Sequence, residues 1–228
     1  MLTFYYHPLS PIARRVWLAL LEKEIPFEPR LVDLRTQENL KPDYLAIHPF
    51  HHVPALVDQA LRLIESLAIL DYLEAKFPAR PLSPTEPAAI ARMKMVQLVI
   101  ANELMPKLPQ LVFLTDADTP TDATTLQQVE TVFTFLAEQL GDADYFGGDR
   151  LSLADITVGA ALPLIRRLGV DFQHHQTLGQ WCDRISDRPA WQQTEPQAEA
   201  LQAWQRWISL MVKRHQRSQA KAVVFSQP

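Results

Sequence analysis

The residues able to do chemistry stand in a few short stretches. In HPLSPIARRVW, residues 7–17, Ser10 precedes Pro11 where a polar strand end gives way to an apolar run. Serine followed by proline is an N-cap followed by a first helical residue, a standard helix start. A hydroxyl has one proton to donate and two lone pairs, so Ser10 can accept from the helix backbone and still donate outward. The helix N-terminus adds positive potential, and a thiolate is suited to that place. In HHVPALVD, residues 51–58, Val53-Pro54 opens a strand. A proline at a first strand position is tolerated. A cis bond there would leave the Val53 N–H and C=O free to pair with an extended peptide, as a missing strand would. In IESLAILDYLEAKF, residues 64–77, Glu65 and Ser66 begin a helix. Free N–H groups at such a terminus bind a carboxylate, and Glu65 can take an ammonium group. The pair could grip an α-amino-acid end, or simply be a serine cap beside a surface glutamate.

Two further groups have blander readings. Ser152 and Asp155 in RLSLADIT match Ncap and N3 of a capping box, with Leu151 and Ile156 at the staple positions. This is a folding signal. His48, His51 and His52 cluster, with His7 within possible reach, but Pro49 and Pro54 bracket them. Helical i, i+4 ligand geometry is therefore not expected, and no metal is assigned. No phosphate-binding glycine loop, nucleophile elbow or His-Glu-x-x-His occurs.

The elements that must position these residues follow from periodicity. Leu2, Phe4 and Tyr6 alternate with polar positions, a strand. Residues 11–23 read as a helix with Ile12, Val16, Ala19 and Leu20 on its apolar face. Strands are expected at 27–32, 55–58 and 61–64, a helix at 37–46, and a helix at 66–77 with Leu67, Leu70, Leu73 and Phe77 as its stripe. The order is βαβαββα. Prolines 78, 81, 84 and 87 then prevent any helix or central strand from continuing. Residues 1–78 are therefore expected to form an α/β domain, 79–87 a proline-rich linker and 88–228 an all-helical domain. Helices are expected near 87–114 (kinked at Pro106 and Pro109), 123–140, 153–168, 174–187 and 189–212, with an Asp/Thr loop over 115–125.

The 228 residues are 47% apolar and carry a net charge of −4, which favours neither nucleic acid nor an anionic membrane as partner. The first residues, MLTFYYH, lack a signal-peptide pattern, and the apolar runs fall short of the about 20 residues a membrane helix needs. Cys182 is the sole cysteine, so the chain holds no internal disulfide; a reducing cytoplasm fits. It also removes the Cys-x-x-Cys redox and zinc readings. Basic residues 213–217 read as a solvated helix end.

Taken jointly, Ser10 after the first strand, Val53-Pro54 opening the third and Glu65-Ser66 starting the next helix resemble the glutathione S-transferase superfamily. SLADIT resembles that family's helical-domain capping box, and RPAW, residues 188–191, its later helix. The resemblance spans nearly the whole chain. It implies a thioredoxin-like N-domain joined to an all-helical C-domain, and glutathione as co-substrate with no metal. It implies that Val53 pairs with the cysteinyl part, that Pro54 is the cis proline, and that Glu65 and Ser66 hold the γ-glutamyl end. His52 occupies the place of the Lys, Arg or Gln that reaches the glycine carboxylate in many relatives. Ser10 aligns with the catalytic serine of theta-like bacterial members, Tyr6 with the tyrosine of other classes. YYHPLSPIARRVW also resembles the cyanobacterial chi class. Phe50 resembles a lock residue that enters a partner subunit, implying a homodimer. The implied activity is conjugation of the glutathione thiolate to small hydrophobic electrophiles, as in detoxification or the stress response; aryl halides, isothiocyanates and hydroperoxides are candidates. The alternatives are a non-catalytic ligand-binding or partner-docking protein, and glutathione-dependent isomerisation. A glutaredoxin-type reductase would need an N-domain cysteine.

Overall fold

Strand β1 (Leu2–Tyr6) alternates buried Leu2 and Phe4 with partly exposed Thr3 and Tyr5, which makes it the natural centre of a sheet. The structure, a computed structural model, describes residues 1–112 and 122–210. β1 pairs in parallel with β2 (Phe27–Leu31) and antiparallel with β3 (Ala55–Asp58), which forms a hairpin with β4 (Leu61–Leu63). The strand order is β2-β1-β3-β4. β2 carries Pro29 and lies at an edge, where the missing N–H is tolerated.

Helix α1 (Pro11–Glu22) follows β1, α2 (Pro42–Leu45) precedes β3, and α3 (Ser66–Lys76) follows β4. The expected helix over 37–46 is divided. Pro42 has no N–H to continue the preceding turn, so a 3₁₀ turn at Glu38–Leu40 is followed by a separate α2 that starts on the proline. The apolar faces also differ from expectation. Val16, Ala19 and Leu20 are fully buried, whereas Ile12 is exposed. On α3, Ile69, Leu70 and Leu73 are fully buried, while Leu67 and Phe77 are only partly covered.

The remaining described elements are helical: α4 (Pro87–Val99), α5 (Leu108–Leu111), α6 (Ala123–Leu140), α7 (Leu153–Arg167), α8 (Gln176–Ser186), α9 (Pro189–Gln193) and α10 over 198–210. The kink expected near Pro106 and Pro109 begins upstream. After α4 the backbone widens into a π turn at Ile100–Leu104 and tightens into a 3₁₀ turn at Met105–Lys107. A proline removes one N–H and displaces the carbonyl four residues back, and both departures accommodate this. The single helix expected over 189–212 is broken at 194–197, where Pro196 stands. Most of the Asp/Thr loop, the ends of the expected helices at 113–114 and 211–212, and the basic run 213–217 lie outside the described residues.

Every residue of α7 from Leu153 to Ile165 is buried, as befits a helix packed on all sides. It lies against α1, α4 and α8. α1 is thereby held between α3 and α7. The proline-rich segment is tied at its middle to both parts of the chain. Glu74 of α3 accepts the N–H groups of Leu82 and Ser83 at 2.9 and 3.0 Å, and the Leu82 carbonyl accepts the N–H of Leu153 at 2.8 Å. The capping box is formed: the Asp155 carboxylate takes the N–H and Oγ–H of Ser152 at 2.8 and 2.7 Å.

Candidate functional site

Ser10 is the N-cap of α1, with φ −87° and ψ 110°, and Pro11 follows as the first helical residue. Its Oγ accepts the Ala13 N–H at 3.2 Å. Its own N–H donates to the His7 carbonyl at 3.0 Å, and its carbonyl accepts the Arg14 N–H at 2.9 Å. The backbone is thus fully engaged while the hydroxyl proton remains to donate. Ser10 lines a cavity of about 610 Å³ together with His7, Trp17, Leu34, Trp204 and Trp207. The wall is mainly apolar and aromatic, and its far side is built by residues 193–208. Burial lowers the His7 pKa, Asp33 partly offsets this, and Arg35 adds to the lowering.

Tyr6 is placed differently. Its ring stacks on Phe4 with centroids 5.2 Å apart and packs against Trp17 at 4.8 Å. It lines neither this cavity nor the one beside it.

The adjoining cavity, of about 570 Å³, is lined by His52, Val53, Pro54, Glu65 and Ser66. Leu34 and Trp207 belong to both walls. Five of the six residues singled out for a tripeptide ligand therefore meet in one space, and the sixth, Ser10, lines the neighbouring cavity. The Val53–Pro54 peptide bond is cis. Among the described residues the Val53 N–H and C=O have no hydrogen-bond partner, so one donor and one acceptor remain for an extended ligand. The preceding carbonyls are anchored: His51 accepts from Asn39 Nδ2 at 2.8 Å and His52 from the Tyr44 hydroxyl at 2.6 Å. Burial raises the Tyr44 pKa, which keeps this donor protonated. Glu65 takes φ 66° at the N-cap of α3 and makes no capping bond with its side chain. That backbone turn leaves the first N–H groups of α3 without a side-chain cap.

The histidines touch by their edges, His48–His52 at 5.8 Å and His51–His52 at 5.2 Å between ring centroids. Among the described residues no group of three or more His, Cys, Asp or Glu is arranged to hold a metal. Cys182 is buried in the helical part, and burial pushes its thiol up to about 11. It stands outside both cavities.

Residues 4–81 match the family model of the glutathione S-transferase N-terminal domain, and residues 90–189 match that of the C-terminal domain. The chain belongs to the glutathione S-transferase family. Glutathione S-transferase F10 of Arabidopsis thaliana is 31% identical over 209 residues, covering 85% of this chain and 96% of the relative. Glutathione S-transferase D7 of Drosophila melanogaster is 26% identical over 213 residues, covering 91% and 93%. A stringent starvation protein A homolog of Pasteurella multocida is 26% identical over 196 residues, covering 85% and 90%. Among solved structures, a delta-class glutathione transferase of Nilaparvata lugens superposes with a TM-score of 0.80 at 22% identity, over 92% of this chain and all of the other. A glutathione transferase homolog from sulfitobacter, solved with bound glutathione, superposes with a TM-score of 0.70 at 28% identity, over 86% and 97%.

In this transferase fold the two-domain expectation holds, a thioredoxin-like part followed by helices. Several site residues were not foreseen from the sequence. Trp204 and Trp207 reach the cavities because the chain turns at Pro196 and lays α10 over them. Ile12, assigned to the core, lines the second cavity. Arg14 and Arg15 are both buried, at 3% and 2% exposure. Their only sequence signal is a pair of charges inside an otherwise apolar helix.

Proposed function

We propose that the protein binds reduced glutathione in the cavity lined by His52, Val53, Pro54, Glu65 and Ser66, and transfers its thiolate to a small hydrophobic electrophile held against α10. The observation that carries this reading is the place of the Ser10 hydroxyl. It has a free proton, stands at a helix N-terminus and lines the cavity that adjoins the one holding His52, Val53, Pro54, Glu65 and Ser66.

The required energy is modest. A free thiol with a pKa of about 8.5 is only ~3% thiolate at pH 7. Lowering that pKa by about two units needs ~2.7 kcal/mol. A hydrogen bond to a charged group supplies ~1.5–3 kcal/mol, and a helix N-terminus roughly 0.3–1 kcal/mol more. One serine at one helix end is enough, with no metal or covalent enzyme intermediate. In this reading Ser10 holds the thiolate and Val53 pairs its backbone with the cysteinyl residue. Glu65 and Ser66 take the γ-glutamyl end, and His52 reaches toward the glycine carboxylate. The apolar, tryptophan-lined wall suits aryl halides or isothiocyanates, in keeping with a detoxification role. The division at residues 79–87 and a cytoplasmic location belong to the same proposal. Among the described residues no helix is long and apolar enough to cross a membrane.

A homodimer is proposed as well. Phe50 is 58% exposed, and Ile90, Met95 and Leu98 form an exposed apolar stripe on α4. Sedimentation of the native chain and of Phe50→Ala tests it.

The main test is calorimetric titration with reduced glutathione, followed by a conjugation assay with a chromogenic aryl halide. Saturable binding and turnover support the proposal; no binding refutes it. A second reading is a non-catalytic ligand-binding or partner-docking protein on the same fold. That reading predicts no conjugation across a panel of electrophiles.

A further inference from the structure

Arg15 stands out among the buried cations. Its side chain belongs to a residue only 2% exposed, and its Nη1 lies 3.4 Å from the Oγ of Ser66. Its Nε and Nη2 are buried with no hydrogen-bond partner. No carboxylate pairs with it among the described residues. Its neighbour Arg14 is paired, through Nε with Thr194 and through Nη2 with the Trp191 carbonyl and Glu195.

A guanidinium carries five donors and stays charged at neutral pH. Burial lowers the Arg15 pKa to about 10, which still leaves the cation at pH 7. An unpaired buried charge is costly, and buried charges are ordinarily compensated. Arg15 Nη1 reaches toward a residue that lines a ligand-sized cavity. Ser66 lines the second cavity and opens α3, whose first N–H groups have no side-chain cap. Hydroxyl, helix terminus and buried cation therefore all favour an anion at the same point.

We propose that Arg15 is the buried counter-charge for the α-carboxylate of the γ-glutamyl group, acting through Ser66. Nη1 donates to the Ser66 Oγ, and the serine hydroxyl proton is thereby directed outward to the carboxylate. Arg15 is a positioning residue, since Ser66 stands between it and the ligand. The inference rests on the proposed glutathione reading of this cavity and adds the source of its anion preference.

The experiment compares the native protein with Arg15→Met and Arg15→Lys, each titrated with two ligands. One is glutathione; the other is 4-aminobutyryl-cysteinylglycine, which lacks the α-carboxylate. The native protein should prefer glutathione by roughly tenfold or more. Arg15→Met should lose that preference while binding the analogue as before. Arg15→Lys should recover part of it. The KM for glutathione should rise with kcat at saturation held within about twofold. Ligand-free Arg15→Met should melt no lower than the native protein, because it removes an unpaired buried charge. A methionine variant that still prefers glutathione, or that loses both ligands alike, overturns the proposal. If Arg15→Met fails to fold, an Arg15→Lys variant with a reduced preference and a raised KM for glutathione supports it, and one that is unchanged in both, or that loses both ligands alike, overturns it. If the native protein binds the two ligands equally, there is no carboxylate subsite at Ser66 and the role of Arg15 falls while glutathione binding stands; if it binds neither, the glutathione reading falls as well.

Discussion

Arg14 Nη2 lies 2.9 Å from Glu195 Oε2, joining the helix that Ser10 caps to the turn that launches α10. Arg14 also donates to Thr194 Oγ1 at 3.0 Å and to the Trp191 carbonyl at 3.1 Å. Thr194 and Glu195 line the larger cavity, so this side chain ties the helix beneath Ser10 to the cavity's far wall, which Arg167 also holds through Glu195 and the Pro196 carbonyl. Arg14→Ala should lower unfolding free energy by ~2–3 kcal/mol in urea, since buried charge-assisted bonds are lost. It should also raise the KM for the electrophile more than that for glutathione. Glu195→Gln should cost less, because the glutamate is 38% exposed.

Ser10→Ala should raise the thiol pKa of bound glutathione toward the free value of about 8.5. Thiolate absorbance followed against pH reads this directly. kcat/KM at pH 7 should fall roughly 10–100-fold, the equivalent of one charged hydrogen bond. Tyr6→Phe should leave the thiol pKa where it is, since that ring faces Phe4 and Trp17. A lowered thiol pKa that survives Ser10→Ala would overturn the assignment.

Asp155 is wholly buried and accepts four hydrogen bonds: from the N–H of Phe146 at 2.9 Å, from the N–H and Oγ of Ser152, and from Trp181 Nε1 at 2.9 Å. Burial raises its pKa against the pull of these donors. Asp155→Asn keeps the shape but turns an acceptor into a donor that faces other donors. The expected loss is ~2–4 kcal/mol of stability, read by urea denaturation, with quenching changes at Trp181. Affinity for glutathione should be unchanged in the folded fraction.

His48 is 2% exposed, and its Nδ1 has no hydrogen-bond partner. Burial lowers its pKa, His52 and His51 lower it further, and Glu65 opposes them. His7 is lowered as well, first by burial. A histidine depressed in the folded state stays neutral while the unfolded chain takes up a proton near pH 6.5. Its contribution to stability is complete above about pH 6.5 and is lost as pH falls through the folded-state value. Thermal melts should therefore decline below about pH 6.5, and His48→Gln should flatten that decline.

The helix starts were legible because capping acts within four residues. Ser10-Pro11 and Ser152–Asp155 announce their turns without help from the rest of the chain. The βαβαββα order followed from alternation and from the prolines at 78–87 in the same way. Pro42 and Pro196 carried the same kind of local signal, and the helices over 37–46 and 189–212 should have been divided there.

Burial obeys no such short range. Arg15 meets Ser66 across 51 positions of sequence, and Arg14 meets Glu195 across 181. A helical pattern shows one apolar face, but α1 has α3 on one side and α7 on the other. Only the packed fold could bury two adjacent arginines and turn Ile12 outward. By itself the sequence determined where the helix starts and the Val53-Pro54 turn place the candidate groups, because backbone propensity and capping chemistry are local. The tertiary structure decided which of them face a common space, because two cavities sharing Leu34 and Trp207 exist only once α10 has folded back over the sheet domain.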